Sequence, residues 1–204
     1  MRQGLAYHLR GFPHRGGILV WPKLKIIYMK PSRCAGTSIR FALERHLPDY
    51  IHHKKYPKEI SKWLFSIDDE ELRKYLIFSA VRNPWDRVVS AAFTYNMPVD
   101  RFILDYIRSR HWPDKETEHH ARPIYPYMYC NGESVVDYWI AFESLQEDFE
   151  FLCDILNIPK TELPKLLPSE HEHYSRYYTD ELKGIVERVY ADDIRAFDYK
   201  FETE

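Results

Sequence analysis

Apolar residues along this chain follow two spacings in turn. Ile26, Ile27, Tyr28 and Met29 form a short run of β-formers and predict a strand over about 25–30. Beyond Pro31 and Gly36, the positions Ile39, Ala42, Leu43, His46 and Leu47 recur at helical spacing, so a helix is expected to end near Pro48. Asp68-Asp69-Glu70-Glu71 reads as the acidic first turn of a short helix. Tyr75 to Val81 is almost continuously apolar, as a central parallel strand covered on both faces would be. Pro84 then opens a helix whose buried face is Val88, Val89, Ala92 and Phe93, with Ser90 on another side. Asp100 to Arg110 continues helically. Val135 to Phe142 reads as a buried strand, and Leu145, Phe149, Leu152 and Leu156 mark a helix stopped by Asn157 and Pro159. Thr179 is a good N-cap for a last helix lined by Leu182, Ile185, Val186, Val189 and Tyr190.

Strands separated by helical segments, without internal repeats, predict a layered α/β fold with a mainly parallel sheet. A chain of 204 residues is expected to be one domain, 1–204. Three stretches lack a period. Residues 1–22, with Gly4, Gly11, Gly16 and Gly17, read as an extended arm. The polar segment Asp49 to Lys62 carries His52-His53-Lys54-Lys55, either a solvated loop or a basic rim for an anionic acceptor. Residues 111–132 hold Pro113, Pro123 and Pro126 among His111, Trp112, His119, His120, Arg122, Tyr125, Tyr127 and Tyr129. A structureless loop of about twenty residues is usually functional or disordered, and this content favours function.

Composition narrows the chemistry. The formal net charge of −2 gives no global basic field, so no nucleic-acid partner is expected and any anion site must be local. Cys34, Cys130 and Cys153 include no CxxC pair, which argues against a disulfide framework and fits a reducing compartment. No apolar window is long enough for a membrane span, and the N-terminus lacks a signal-peptide core, so a soluble, cytoplasmic chain is expected. The 16 Tyr, 11 Phe and 5 Trp suit a carbohydrate or nucleotide binder. No zinc spacing is present and no metal is expected, and His171 and His173 read as polar loop residues.

The chemical signal is strongest between the first strand and the first helix. Strand, tight loop and helix aim backbone N–H groups and the helix dipole at an anion. Ala35 and Gly36 permit close approach, Thr37 and Ser38 add hydroxyls, and Arg33 adds a fixed charge. The Gly-x-x-x-x-Gly-Lys-(Ser/Thr) motif is absent, so a nucleoside-triphosphate enzyme is the weaker reading.

Ser32-Arg33-Cys34-Ala35-Gly36-Thr37-Ser38, together with Val81 through Ser90, resembles the two motifs of sulfotransferases that use 3′-phosphoadenosine 5′-phosphosulfate (PAPS). The similarity is closest to the carbohydrate, family 2 branch. Asp137 to Leu145, Tyr177 to Leu182 and Asp192 to Tyr199 resemble that family as well. The resemblance implies a three-layer fold like that of P-loop nucleotide-binding proteins. It implies sulfuryl transfer (EC 2.8.2) from PAPS to a hydroxyl, of a glycan in the closest branch. Arg33 to Ser38 would hold the 5′-phosphosulfate, and Arg82 and Ser90 the 3′-phosphate. Tyr177, with Ser175 and Arg176, would close over the nucleotide. Arg87 is expected to face solvent or brace the loop with Asp86. One departure stands out: the family's loop lysine is Arg33 here, which keeps the charge but cannot donate a proton, and Lys30 is the alternative ammonium. The family's base histidine in a His-x-x-Pro context fits His120, with His119 and His111 as alternatives and Glu44 and Glu143 behind them. The Arg33 exchange also leaves open a non-catalytic nucleotide binder, and a small kinase-like phosphotransferase is a third reading.

Overall fold

The structure is a computed structural model that describes residues 5–10, 17–52, 57–166 and 171–204. The chain comprises two compact units. The first comprises Met1–Val81 and Pro126–Leu166, and the second Arg82–Tyr125 and Leu167–Glu204.

Seven strands are assigned among the described residues of the first unit. They are β1 (Ile18–Trp21), β2 (Ile26–Met29), β3 (Ile51–His52), β4 (Leu76–Val81), β5 (Tyr129–Cys130), β6 (Glu133–Ser134) and β7 (Tyr138–Ala141). The last two strands before β7 pair only with each other; the other five form one sheet in the order β3-β1-β2-β4-β7. β2 pairs in parallel with β4, and β4 in parallel with β7, while β1 is antiparallel to both β2 and β3. Only β1 therefore runs against the others. With helices such as Gly36–His46 and Leu145–Leu156 flanking it, this is a mixed α/β fold with a mostly parallel central sheet.

The core follows from the apolar runs. Ile27, Tyr28, Met29, Ile77, Phe78 and Ala80 are fully buried, and the Tyr28 and Phe78 rings stack at 4.7 Å across the β2–β4 pair. Ser79 Oγ donates to the Met29 carbonyl at 2.7 Å, which locks the two strands together at their carboxyl ends. Asp137 clips the start of β7: its N–H donates to the Ile77 carbonyl and its carboxylate accepts the Ile77 N–H at 2.8 Å.

Three expectations need correction. Part of the anticipated arm is β1, with all four residues buried, and Leu5–Arg10 is helical. The apolar Ile18–Trp21 run is paired by a tight turn to β2, and Pro22 follows its last residue. The anticipated loop at 111–132 is also largely regular, with helices Lys115–Ala121 and Tyr125–Met128 and strand β5. Asp114 starts the first of these by accepting the N–H groups of Glu116 and Thr117, an N-cap that the prolines overshadowed. Of the anticipated basic rim, His53, Lys54 and Lys55 lie outside the described residues.

In the second unit the helices Pro84–Thr94, Asp180–Val189 and Ala191–Ala196 and the π-helix Phe102–Ile107 are the main elements. They share a core of Trp85, Val88, Val89, Phe102, Ile103 and Tyr190. Its polar brace is Arg87, which is buried, not solvent-facing or paired with Asp86. Its guanidinium donates to the Arg122 carbonyl at 2.8 Å, lies 3.7 Å from the Asp193 carboxylate and sits over the Tyr190 ring. Asp193 also accepts the N–H groups of Ile124 and Tyr125. Burial pushes the Asp193 carboxyl up, against the pull of Arg87 and the two amides.

Asp193→Ala would strand a buried guanidinium and two amides. The urea midpoint should fall by the equivalent of about 3–5 kcal/mol, with an unchanged slope.

Candidate functional site

The first set of candidate residues lies in the first unit, where β2 runs out. Two residues of the loop, Arg33 (φ 62°) and Ala35 (φ 53°), take left-handed backbone, while Ser32 and Cys34 do not. Alternating backbone hands turn successive N–H groups into one concavity, the arrangement called a nest, which suits an anion. Each left-handed non-glycine residue costs on the order of 1–2 kcal/mol. Ala35 is also the N-cap of the Gly36–His46 helix and supplies no side-chain cap. The first-turn N–H groups, which have no partner inside a helix, belong to Gly36, Thr37 and Ser38. The left-handed turns thus fall on Arg33 and Ala35, not on the glycine the sequence offers.

Gly36 serves a different end. A Cβ there would stand 2.5 Å from Lys30 Cγ and 2.6 Å from Lys30 Cε. The Lys30 stem therefore runs from the end of β2 across the loop, in the space that a side chain at 36 would fill. Lys30 is a loop residue in effect, not a strand-end surface lysine. Cys34 is buried with Sγ turned to the Ser32 carbonyl. Ser38 is buried and its hydroxyl accepts the Leu166 N–H at 3.4 Å. Glu44 is engaged by Arg40 at 2.6 Å and by the Tyr50 hydroxyl.

The second set lies in the second unit, immediately after β4. Asn83 caps the Pro84–Thr94 helix by accepting the N–H groups of Trp85 and Asp86, and its amide donates to the Lys200 carbonyl at 3.1 Å. Tyr178 donates to the Trp85 carbonyl, and Tyr174 accepts the Glu202 N–H. The C-terminal segment thereby fixes the start of this helix. Arg82 is 7% exposed at its side chain and donates from Nε to Asp86 Oδ2 at 2.7 Å, which orients its guanidinium. Ser90, on another side of the helix, is fully buried as well, and its carbonyl accepts the Thr94 hydroxyl. Tyr177 packs its ring edge-on to Phe93, one turn beyond Ser90. Arg176 pairs instead with Glu172 and Glu204.

The histidines separate clearly. His120 Nδ1 lies 2.6 Å from the Tyr95 hydroxyl, and the Tyr95 ring stacks on buried Phe102. His119 Nδ1 takes a hydrogen bond from Arg122 at 3.2 Å. His111 is exposed. His171, read from sequence as a polar loop residue, has a side chain only 9% exposed beside Asp86. The partners of Tyr95 and His171 were invisible in the sequence, since they are distant in the chain. The Arg82–Asp86 pair, by contrast, stood at i,i+4 spacing.

Residues 17–200 match the model of the Sulfotransferase family, and the chain belongs to that family. It is therefore a transferase of the sulfuryl-transfer class. No curated protein and no solved structure matches it significantly. No helix among the described residues is long and apolar enough to cross a membrane.

The Gly36–Lys30 contact is testable by itself. Gly36→Ala should cost about 1–3 kcal/mol through overpacking. In a Lys30→Ala background the same change should be neutral or gain about 0.5–1 kcal/mol, as alanine is the better helix residue. A thermal-melt double-mutant cycle reads the difference.

Proposed function

We propose that this protein transfers a sulfuryl group from PAPS to a hydroxyl of a glycan, with His120 as the base. The observation that carries the reading is the course of Lys30 over Gly36. It supplies an ammonium at the anion loop of a family member whose usual loop lysine is Arg33. The neighbouring parallel strands β2 and β4 each end at one of the two motifs, the usual placement of ligands in open α/β sheets. These features favour an enzyme over a non-catalytic binder of the same nucleotide.

The residues present suit such a donor. The backbone N–H groups of Cys34 to Ser38, the Thr37 hydroxyl and Arg33 hold the 5′-phosphosulfate. Arg82 and Ser90 hold the 3′-phosphate through charge-assisted contacts, and Tyr177 packs beside them. When bound, the donor supplies a sulfuryl group whose bond to the phosphate oxygen breaks as the acceptor oxygen bonds to sulfur. Lys30 and Arg33 stabilise the negative charge that collects on the departing phosphate, and Lys30 is able to give it a proton. His120 takes the acceptor's proton at Nε2, with Tyr95 at Nδ1 holding the ring. Positioning and fixed charges carry most of the rate in related phosphoryl transfers, and the same logic applies here.

Adenosine 3′,5′-bisphosphate should raise the melting temperature far more than AMP does. Arg82→Ala should abolish that difference, a loss of roughly 1.5–3 kcal/mol for a charged hydrogen bond. Equal stabilisation by both ligands in the wild type would remove Arg82 and Ser90 from the 3′-phosphate.

His120→Ala should lower turnover about 10²–10⁴-fold, the usual share of a general base, with donor affinity nearly unchanged. His119→Ala should keep most activity. Wild-type turnover in His120→Ala with loss in His111→Ala would move the base to His111.

A further inference from the structure

The side chain of His171 presents an unsolved contact. Its Nδ1 lies 2.8 Å from the Glu172 carbonyl. A carbonyl only accepts, so Nδ1 carries the hydrogen, and in the neutral ring Nε2 bears a lone pair. That Nε2 is buried without a hydrogen-bond partner among the described residues. It stands 3.8 Å from Asp86 Oδ1. Two acceptors thus face each other in a poorly hydrated place, and the cost of leaving them so is that of an unsatisfied buried group. A proton on Nε2 turns the contact into an ion pair. The other oxygen of the same carboxylate, Oδ2, already holds Arg82 Nε.

Other groups around the pair do not supply that proton or cancel its charge. Burial first, and then the Asp86 carboxylate among other causes, pushes the Tyr174 and Tyr178 phenols up, so they stay neutral. Phe93 and Tyr177 cover the His171 ring. The Tyr177 hydroxyl accepts the Glu172 N–H. The Glu172 carboxylate pairs with Arg176, which also pairs with Glu204. His173 bonds through Nδ1 to the Ser175 hydroxyl. Asp86 is therefore the anion that His171 meets directly.

We propose that His171 is a positioning residue for the 3′-phosphate, taking up a proton when that phosphomonoester binds. With neutral His171, the Arg82–Asp86 pair is formally uncharged. With His171 protonated, the trio carries one net positive charge, and Asp86 is held from both sides so that Arg82 keeps its orientation. An arriving dianion favours the charged trio, and by linkage the charged trio favours the dianion. The inference rests on the assignment of Arg82 to the 3′-phosphate.

The test is calorimetric titration of the full chain with adenosine 3′,5′-bisphosphate in buffers of different ionisation enthalpy, across about pH 5–8 where histidine changes charge. The bisphosphate exchanges protons of its own, so the readout is the difference between wild type and His171→Gln. Wild type should take up a proton that the variant does not. Its affinity relative to the variant's should fall as pH rises, by at most about tenfold per pH unit for one linked proton. At the alkaline end the two proteins should bind alike. If the variant does not fold, the His171 ring resonances of the wild-type protein serve instead. They should move toward the imidazolium form on adding the bisphosphate and stay put with AMP. Binding that prefers the 3′-phosphate and needs Arg82, with equal proton uptake in both proteins or unmoved ring resonances, overturns the role of His171 alone. Failure of the bisphosphate to bind better than AMP overturns the donor assignment and this inference with it.

Discussion

The parallel pairing of β2 with β4 is the constraint on which the rest depends. Its register sets Met29, the last residue of β2, opposite Ser79, and the Ser79 hydroxyl bonded to the Met29 carbonyl fixes that end two residues before β4 stops. One strand then leads into Lys30 and the left-handed turns at Arg33 and Ala35. The other leads into Arg82 and the capped Pro84–Thr94 helix. Strand ends buried this deeply do not shift, because each is flanked by fully buried apolar residues. A loop that carries two left-handed non-glycine residues needs such an anchor, since its strain must be held by surrounding structure.

In the proposed mechanism, arginine at position 33 and lysine at position 30 divide work that the family resemblance gives to one lysine. Arginine offers a fork of donors and a charge that does not titrate. It cannot hand a proton to a leaving group, whereas an ammonium brought over Gly36 is able to. The glycine's role is then steric: it clears the path of a neighbouring side chain instead of supplying unusual backbone angles. A loop read only by its pattern of small residues misses that distinction.

The elements legible in sequence were those with an uninterrupted period. The runs at Tyr75–Val81 and Leu145–Leu156 fold where their apolar spacing placed them, and Asn157 ends the second in a left-handed cap. β1 was missed because glycines precede it and Pro22 follows it, although its four residues are wholly apolar. The helix at Lys115–Ala121 was missed because its cap, Asp114, sits among loop-like prolines. The candidate motifs themselves were legible, as local strings of residues are. The contacts that tune them were not, since Tyr95 meets His120, and His171 meets Asp86, only through the fold. Arg87 shows the limit from the other side: a charged residue beside a motif was read as solvent-facing or as a brace to Asp86, yet it is paired with Asp193 deep in the core.

A structure with adenosine 3′,5′-bisphosphate bound tests the central claim most directly. The 5′-phosphate should lie on the backbone N–H groups of Cys34 to Ser38 with the Lys30 ammonium beside it, and the 3′-phosphate should meet the Arg82 guanidinium and the Ser90 hydroxyl. A nucleotide bound with its 5′-phosphate off the loop, or with Arg82 still turned away from its 3′-phosphate, would contradict the assignment of this chain's residues to a PAPS donor.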